Sequence, residues 1–517
     1  MRRPALHRRN ENGVAMIFAL VLVLVLSVIA ASLLFISRSE TWSSTNYRMM
    51  TQARYGAEAG INAAANYLIN VYTPPGNTGA DQYGLYTQTG PLAVPGSALP
   101  ATVQFGGKFV ALTSGNPTVP FAYTYPFPQV QTAFNNAVTG TIQSGNDTLS
   151  YTAYATLLSM EQLSVYGSAT PGTVQTWLIT ADGNIVGLQN SQVEVSAVLE
   201  QAPVPTFQYA AFATNKGCGA LQFSGGGSTD SYDSSAITFN ANGSVATQNI
   251  GGNVGSNGNL NEAGAPTVIN GTLSTPALGV GNCSSGNVTP WTDTGNAKVT
   301  GGVVTLPQTV NYPTPSAPNP MPPTTNTNLN NAASCASLSG CSTSPLGGYQ
   351  LASGTTSNPA LYGNLTINSG ATIHLEPGVY NINSLILNGN ATIVIDPPVP
   401  PTAPSQVTIN IAGAGQSTPL DLTGGSLSNP SYNPSNLQFV YAGTGTLNLE
   451  GGAAAAGIVY APNATVTFNG GSNWYGAAIG QFVDDKGGTA LNYDRRLQKA
   501  LYTLGNWELD SFTWKKY

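Results

Sequence analysis

Few residues in the C-terminal half of this sequence have side chains suited to acid–base chemistry. Between residues 360 and 483 there is no Lys or Arg, and the ionisable residues are His374, Glu376, Asp396, Asp421 and Glu450. Polysaccharide hydrolysis uses a pair of carboxylates on either side of the scissile bond. No two of these acids share a predicted strand at positions i and i+2. The sequence therefore predicts no catalytic residue, and His374 is interpreted as a structural histidine.

The remaining candidates for chemistry also point to structural roles. The run Asp484–Lys486 is typical of a solvated turn, and Asp494 with the two arginines after it is interpreted as an ion pair that closes the end of the β region. The sequence has only two histidines, His7 and His374, which leaves catalytic triads and histidine-based zinc sites poorly supplied. No phosphate-binding loop or dinucleotide fingerprint occurs in a suitable context, so we expect no metal and no cofactor.

Composition limits the class of protein further. The chain has 517 residues, a formal net charge of −6 and only 7% charged residues, with 59 Gly and 35 Pro. A chain with few charges and many Gly, Asn, Ser and Thr favours short strands joined by tight turns over a helix-rich cytosolic enzyme. The net negative charge offers no electrostatic surface for nucleic acid, so no nucleic-acid partner is expected.

The four cysteines, Cys218, Cys283, Cys335 and Cys341, all follow a long apolar run at the N-terminus. If that run holds the N-terminus in the cytoplasm, the cysteines lie on the outer side of the membrane, where disulfides form. Four cysteines allow three pairings, and we favour Cys218–Cys283 with Cys335–Cys341. A metal site is the alternative, but the single histidine outside the N-terminal leader argues against it.

The apolar run, residues 14–36, is long enough to cross a bilayer as a helix, and it carries no charge. Four arginines precede it, so the positive-inside rule places the N-terminus in the cytoplasm and the bulk of the chain in the periplasm or outside the cell. The apolar core of a signal peptide is shorter and is followed by small residues, whereas here Asn12-Gly13-Val14 stands before the run. We therefore expect a single-pass protein of the inner (cytoplasmic) membrane.

The N-terminal region resembles type IV pilin-like proteins, in particular the PilX family of minor pilins. The similarity covers roughly residues 10–72. It rests on a short basic leader ending in Gly13, the apolar helix directly after it, Asn46-Tyr47-Arg48 and the element Ala57-Glu58-Ala59-Gly60. The resemblance implies that a prepilin peptidase cuts between Gly13 and Val14, leaving the helix on the mature chain. It also implies other pilins or minor pilins as partners, bound through this helix.

Two positions depart from the usual pilin pattern. The first mature residue is Val14 rather than Phe, and the fifth is Phe18 rather than Glu. In ordinary pilins that Glu is thought to neutralise the terminal amine of a neighbouring subunit, since an unpaired charge in an apolar environment is costly. A subunit without it can still insert, and it suits a position where no neighbour has to be matched, such as a filament tip. The alternative is a plain anchor that is never processed or assembled.

Residues 37–203 are predicted to be a pilin-like α+β region, in which the long helix packs on an antiparallel sheet. Ile61, Ala64, Ala65 and Leu68 recur at helical spacing and mark the face expected to be buried. Residues 73–117 are rich in Gly, Pro and Thr and are interpreted as an irregular connection. The strands are predicted at 151–158, 174–179 and 192–199, with Ala181-Asp182-Gly183-Asn184 as a tight turn.

The rest of the chain is predicted to be all-β. A Gly/Asn-rich β region (204–311) precedes a Pro-rich linker (312–345), a β-solenoid domain (346–497) and a capping tail (498–517) whose Trp507, Phe512 and Trp514 cover the open end. The solenoid prediction rests on short apolar runs separated by Gly and Asn corners. A β-sandwich of antiparallel strands is the alternative, because its strands recur at similar spacing.

This second half resembles the uncharacterised C-terminal domain that is often joined to PilX-like N-termini. The similarity spans roughly residues 207–497. The matching segments are Ser231–Ser234, Pro377–Tyr380, Val459–Ala464, Tyr475–Ala477 and Asn492–Leu497. That domain has no settled activity, so the resemblance implies architecture and secretion but no chemistry.

These features together predict a minor pilin or pilin-like component of a type IV pilus or related filament that displays a large extracellular β domain. Tyr, Asn and Thr on a surface with few charges suit weak contact with carbohydrate or another surface, so adhesion at the filament tip is a hypothesis. Two alternatives stay open. One is a single-span anchored adhesin outside any filament, and the other is an anchored carbohydrate-active enzyme that uses Asp421 or Glu450.

Overall fold

The computed structural model describes residues 12–93, 100–113, 125–144, 147–168, 170–186, 191–263, 267–284, 286–293, 298–397 and 405–516. Apart from its last two residues, the leader predicted at residues 1–13 lies outside these ranges. The chain divides into two compact units. The first contains the residues up to Glu161, Thr173–Gln201 and the residues from Trp507, and the second contains Gln162–Gly172 and Ala202–Asn506.

The first unit combines two helices with antiparallel strands. In chain order its elements are α1 (Asn12–Asn70), a 3-10 turn (Tyr83–Leu85), β1 (Thr87–Ala93), β2 (Pro100–Phe105), β3 (Lys108–Phe109), β4 (Ala111–Thr113), α2 (Pro128–Val138), β5 (Gly140–Ser144), β6 (Asp147–Leu163), β7 (Gly172–Val186) and β8 (Ser191–Pro205). The three strands predicted at 151–158, 174–179 and 192–199 lie within β6, β7 and β8. The prediction of an irregular connection at 73–117 is wrong. β1–β3 form a small sheet there, and Ala101 and Val103 lie on the buried face of β2.

The second unit is built almost entirely from short strands. They are β9 (Ala211–Ala213), β10 (Leu221–Ser224), β11 (Ser228–Tyr232), β12 (Val254–Ser256), β13 (Leu260–Ala263), β14 (Val268–Ile269), β15 (Leu273–Thr275), β16 (Trp291–Asp293), β17 (Lys298–Val299), β18 (Val303–Thr305), β19 (Asn326–Leu329), β20 (Cys341–Thr343), β21 (Tyr349–Leu351), β22 (Ala360–Ile367), β23 (Thr372–Leu375), β24 (Gly378–Leu387), β25 (Ala391–Ile395), β26 (Val407–Ile411), β27 (Leu420–Asp421), β28 (Gly425–Ser428), β29 (Leu437–Tyr441), β30 (Thr446–Glu450), β31 (Ala456–Asn469), β32 (Asn473–Asp485) and β33 (Ala490–Asp494). A short helix, α3 (Ala332–Ser337), and two 3-10 turns (Pro434–Asn436 and Arg495–Lys499) interrupt them, and β34 (Tyr502–Lys516) ends the chain.

Parallel pairing dominates the second unit. Twenty strands form one sheet, while β20, β21, β23, β25 and β28 form another. Each apolar run predicted as a strand between residues 365 and 480 lies inside a strand, and neighbouring strands of the large sheet run in the same direction. The alternative of an antiparallel sandwich is therefore wrong for this region.

One column of buried aliphatic side chains joins the two regions that the sequence separates. Each residue of the column pairs in register with the next one on the neighbouring strand: Leu365, Leu385, Leu420, Leu447, Val466, Val483, Leu221 and Leu260. All of these side chains are at most 3% exposed. Because β32 pairs with β10 and β9, the Gly/Asn-rich region and the C-terminal β domain share one apolar core.

The Pro-rich segment lies along this core rather than separating two domains. Tyr312, Pro315 and Pro318 are buried at a spacing of three residues, which is the repeat of a polyproline II helix. Carbonyl oxygens in this segment and just before it accept hydrogen bonds from side chains in β22, β24 and β31 and after β12: Val310 from Asn257, Pro313 from Tyr460, Pro320 from Asn381 and Thr324 from Asn364, at 2.6–2.9 Å. Proline has no N–H to join a ladder, so these Asn and Tyr side chains hold the segment in place.

Small residues allow α1 to pack closely on β7 in the first unit. Ala53, Ala57, Ile61, Ala64 and Leu68 are buried at helical spacing, so the predicted face is confirmed. A Cβ atom placed on Gly183 would stand 1.9 Å from the carbonyl oxygen of Ala53. Gly183 lies inside β7, opposite Val193 of β8, so the tight turn predicted at 181–184 is wrong. The glycine is needed because the helix backbone approaches the strand there.

The last strand, β34, pairs within the sheet of the first unit. β34 is the neighbour of β8 in the sheet of the first unit, and Trp507 packs against that unit's core. Leu501, at the start of the tail, packs against the core of the second unit. The capping role of 498–517 stays a prediction. The side chains of Phe512 and Trp514 lie outside the described residues.

A half-buried carboxylate organises the aromatic residues of the first unit. Asp81 accepts hydrogen bonds from the hydroxyls of Tyr86 at 2.7 Å and Tyr125 at 2.6 Å. The hydroxyls of Tyr125 and Tyr72 are also within hydrogen-bond distance of each other, at 3.2 Å. Burial raises the pKa of both Tyr86 and Tyr125, so they stay protonated donors.

Replacing Asp81 with alanine is expected to destabilise the first unit by about 2 to 3 kcal/mol, because two buried hydroxyls lose their acceptor. The loss is measured by hydrogen exchange in this unit at increasing concentrations of denaturant. Asp81→Asn retains one acceptor oxygen and is the control, with an expected loss of about half. Equal stability of Asp81→Ala and the parent would contradict this role for the carboxylate.

Candidate functional site

The first half of α1 presents an apolar surface on every side. Between Val14 and Ile36 the large hydrophobic side chains are 46–79% exposed. The hydroxyls of Ser27 and Ser32 donate to the carbonyl oxygens of Val23 and Val28, so the polar groups of this segment are satisfied within the helix. The helix is long and apolar enough to cross a membrane. This surface therefore fits a single-pass membrane anchor.

The residues that follow the apolar segment fit a membrane–water boundary. Arg38 is the first charged residue after the run, and Trp42 and Tyr47 are 64% and 73% exposed. Trp and Tyr are enriched at such boundaries because they are amphipathic. Beyond them α1 becomes buried on one face, and Arg54 forms an ion pair with Glu58 at 2.8 Å on the other. A single helix thus joins an apolar surface to a packed domain.

The predicted processing residues lie at the start of α1. Gly13 and Val14 are its second and third residues, and Phe18 is 70% exposed. The first acid of the helix is Glu40, beyond the apolar segment. No carboxylate of α1 is therefore available inside this segment to neutralise a neighbouring amine. Cleavage between Gly13 and Val14 stays a prediction.

Both disulfides of the favoured pairing are present. Cys218 is bonded to Cys283 and Cys335 to Cys341. The first bond links the residues before β10 to those before β16. The second joins α3 to β20 beside the Pro-rich segment. The cysteines serve as covalent links, so the alternative of a cysteine metal site is wrong.

Two of the segments that carry the C-terminal resemblance meet in space. Asp494 is fully buried and accepts hydrogen bonds from the backbone and hydroxyl of Ser234 at 3.1 and 2.5 Å. It also accepts from the backbone N–H of Arg496, which caps the following 3-10 turn. Among the described residues neither arginine forms an ion pair with it, so the predicted ion pair is wrong. Because β33 pairs with β11 through Asp494 and Tyr232, Ser234 lies beside the carboxylate, and its neutral N–H and hydroxyl are the donors.

The acids of the β domain fall into separate groups. His374 contacts Asp396 through Nδ1 at 2.6 Å, and Glu376 accepts from the amide of Gln350. Asp421 accepts from its neighbour Thr423 at 2.7 Å. Burial, and secondarily the charge of Asp421, raises the pKa of Glu450. The structure thus pairs His374 with Asp396, in agreement with a structural role for the histidine.

A groove of about 830 Å³ lies beside the first of these groups. Glu376 and Asp396 both line it, together with neutral polar residues. Sequence reasoning missed this juxtaposition, although a signal is present. The segments TIHLEP and TIVIDP, at residues 372–377 and 392–397, place an acid and a proline directly after each apolar run. Since β23 and β25 pair in register, the two acids come to adjacent positions.

The predicted solvated turn at 484–486 is wrong for its two acids, which are the last residues of β32. Asp485 is 1% exposed, because its neighbours across the ladder are the buried Phe468 and Phe223. Burial raises the pKa of Asp485 to about 6, against the opposing hydrogen bond from the backbone N–H of Thr489. Only Lys486, which pairs with Asp484 at 3.2 Å, fits the prediction.

The second unit is therefore expected to lose stability as the pH rises from about 4 to about 7. The folded state binds the proton of Asp485 more tightly than the unfolded state, so the contribution is complete below the ordinary pKa of 3.8 and is lost through pH 6. The expected loss is roughly 2 to 3 kcal/mol. Denaturant unfolding between pH 4 and 7 measures it, and Asp485→Asn should show a shallower pH dependence. An identical pH profile in the two proteins would refute this assignment.

Comparison with known proteins gives two family matches. Residues 12–62 match a family described as PilX N-terminal, and residues 346–500 match a domain of unknown function, DUF7305. No curated protein matches the chain. Among solved structures, the chain is similar to the competence-associated pilin ComZ from Thermus thermophilus, with 11% identity over 91% of this chain and 98% of that chain. The TM-score of 0.24 is too low to carry an argument about the fold. The two family matches confirm the two resemblances: residues 12–62 are similar to the PilX N-terminal family, and residues 346–500 are similar to DUF7305.

Proposed function

We propose that this protein is a minor component of a type IV pilus or related filament, with the first half of α1 as its assembly element. The observation that carries the proposal is the segment Val14–Ile36, which is apolar and exposed on every side, whereas the helix from Met49 to Leu68 is buried on one face. A surface of this kind is stable only in lipid or against other apolar helices. The match of residues 12–62 to the PilX N-terminal family supports helices of other pilins as these partners.

The finer parts of the proposal follow from this helix. A prepilin peptidase removes residues 1–13, the N-terminus faces the cytoplasm, and the chain waits in the inner membrane before assembly. The absence of an acid from residues 14–36 favours a place at the tip, where no terminal amine of a neighbour has to be matched. The large β domain is then displayed outside the cell, where it contacts a surface.

Mass spectrometry of the N-terminus, combined with purification of sheared filaments, tests the proposal. We expect a mature chain beginning at Val14 in the filament fraction, and an uncleaved chain confined to the membrane when Gly13 is replaced by a bulky residue. Leu24→Arg places a charge at the centre of the apolar segment, which costs about 2.5 to 3.5 kcal/mol in a bilayer. Thr41→Arg, on the exposed part of α1 outside that segment, is the matched control.

Two results would overturn the proposal. An intact leader on a chain that never enters filaments would favour the single-span adhesin. Recovery of the protein free in solution, without residues 14–36, would exclude both anchoring and assembly.

We also propose that the parallel strands of the second unit wind as a β-solenoid. Support comes from the continuous column of paired residues from Leu365 to Leu260 and from the Gly and Asn corners between strands. Stacking of this kind buries the apolar face that no single turn buries alone. An experimental structure in which the strands close into one barrel would contradict the solenoid.

A further inference from the structure

The groove beside β23 and β25 is formed by close backbone contacts. Gly354 and Val379 exchange backbone hydrogen bonds at 3.2 and 2.9 Å, which fixes the segment after β21 over the start of β24. Gly378 has a φ of 149°, and a Cβ atom there would stand 2.5 Å from the carbonyl oxygen of Gly354. These contacts position the segment after β21 along one side of the groove.

Two carboxylates stand next to each other in this groove. β23 and β25 pair in register through Leu375 and Ile395, and the backbone N–H of Asp396 continues the ladder to Leu375 at 3.0 Å. Glu376 and Asp396 therefore lie side by side at the ends of neighbouring strands, whose backbones are about 4.8 Å apart. Asp396 is held by His374, and Glu376 by Gln350, so both side chains are fixed in position.

No Lys or Arg side chain from the surrounding sequence is available to these acids, and the one histidine of this interval, His374, contacts Asp396. Between Lys298 and Lys486 the chain contains no Lys or Arg. All lining residues fall within that interval. Two carboxylates lie side by side on neighbouring strands, and the groove lining contains no Lys or Arg. This arrangement favours a ligand that carries its own positive charge.

The other polar side chains of the lining are neutral and can both donate and accept hydrogen bonds. They include the hydroxyls of Ser353, Thr355 and Thr408 and the amide of Gln406. Such groups match the hydroxyls of a sugar, which also donate and accept. The faces of Pro377 and Pro397 add apolar surface suited to the C–H faces of a sugar ring.

We propose that this groove binds an oligosaccharide that carries free amino groups, with Glu376 and Asp396 holding its ammonium groups. The inference specifies the class of ligand that the displayed β domain would contact, and its biological role rests on the proposed function. Binding itself is a property of the isolated chain, so it is measured independently of filament assembly.

The test uses the full-length protein in detergent micelles and isothermal titration calorimetry at a pH at which the ligand amines are protonated. The probes are a six-unit β-1,4-linked glucosamine oligomer, its fully N-acetylated counterpart and hexalysine. We expect the glucosamine oligomer to bind at least about ten-fold more tightly than the other two, since only it combines sugar hydroxyls with charge.

Variants locate the interaction. Glu376→Gln and Asp396→Asn keep the shape of the side chains and are each expected to weaken binding about ten-fold or more. Asp421→Asn removes one charge outside the groove lining and is the matched control, with affinity expected within two-fold of the parent.

Several results would overturn the proposal. Equal binding of the acetylated oligomer would remove the role of the carboxylates, and equal or tighter binding of hexalysine would indicate a cationic protein segment as the ligand. Absence of binding by the unmodified chain would refute the site whether or not the variants fold. Retention of the leader would overturn the filament role alone and leave this result standing.

Discussion

Replacing Gly183 with valine is expected to lower the free energy of unfolding of the first unit by about 4 to 5 kcal/mol. The side chain would overlap the backbone of α1, since a Cβ atom alone would stand 1.9 Å from the Ala53 carbonyl oxygen and 2.5 Å from the Ala57 nitrogen. Neither atom belongs to a flexible side chain, so the helix has to move away from β7. The apolar segment of α1 would then no longer be attached rigidly to its domain.

Hydrogen exchange resolved by mass spectrometry measures this loss in β7 and in the buried half of α1. Gly90→Val is the matched control, because Gly90 also lies in a strand of the first unit and a Cβ atom placed there would meet open space within 4 Å. Its effect should be below about 1 kcal/mol. Comparable protection in Gly183→Val and the parent would mean that α1 does not need this close approach.

Breaking the Cys218–Cys283 bond is expected to cost the second unit about 4 kcal/mol, against about 2 kcal/mol for Cys335–Cys341. The reason is the length of chain that each bond closes in the unfolded state, with sequence separations of 65 and 6 residues. The longer loop loses more conformational freedom when it is closed.

Cys218→Ser and Cys341→Ser break one bond each and leave the buried Cys335 in the core. Chemical denaturation of the two variants under oxidising conditions gives the two losses. Each variant serves as the control for the other, because both remove one disulfide and release one thiol. A larger loss for Cys341→Ser would show that local packing, rather than loop closure, determines the contribution of these bonds.

Prediction from the sequence succeeded where periodicity reports burial directly. The face of α1 that contains Ile61 and Leu68 follows the helical repeat, and the short apolar runs between 365 and 480 became strands. The turn predicted around Gly183 failed, because a glycine beside Asp and Asn is a turn signal that also fits a close backbone approach. Which of the two uses applies depends on whether another backbone lies against that position.

The candidate groove could not be predicted from the sequence for a similar reason. Glu376 and Asp396 stand 20 positions apart, and neither has a neighbouring acid in its own strand. Only the parallel register of β23 with β25 brings them together. The one signal that the sequence carries is that each acid and its following proline terminate an apolar run.

The amino-acid sequence by itself determined that this protein has an apolar N-terminal helix, oxidised cysteines and a β-rich body with few charges, because hydrophobicity, composition and local periodicity are properties of neighbouring residues. Tertiary structure alone decided that β34 joins the sheet of the first unit, that the Pro-rich segment lies along the β core, and that β9 pairs with β32. These are contacts between residues far apart in the chain. Their energies depend on which backbone groups remain unpaired once the local elements have formed.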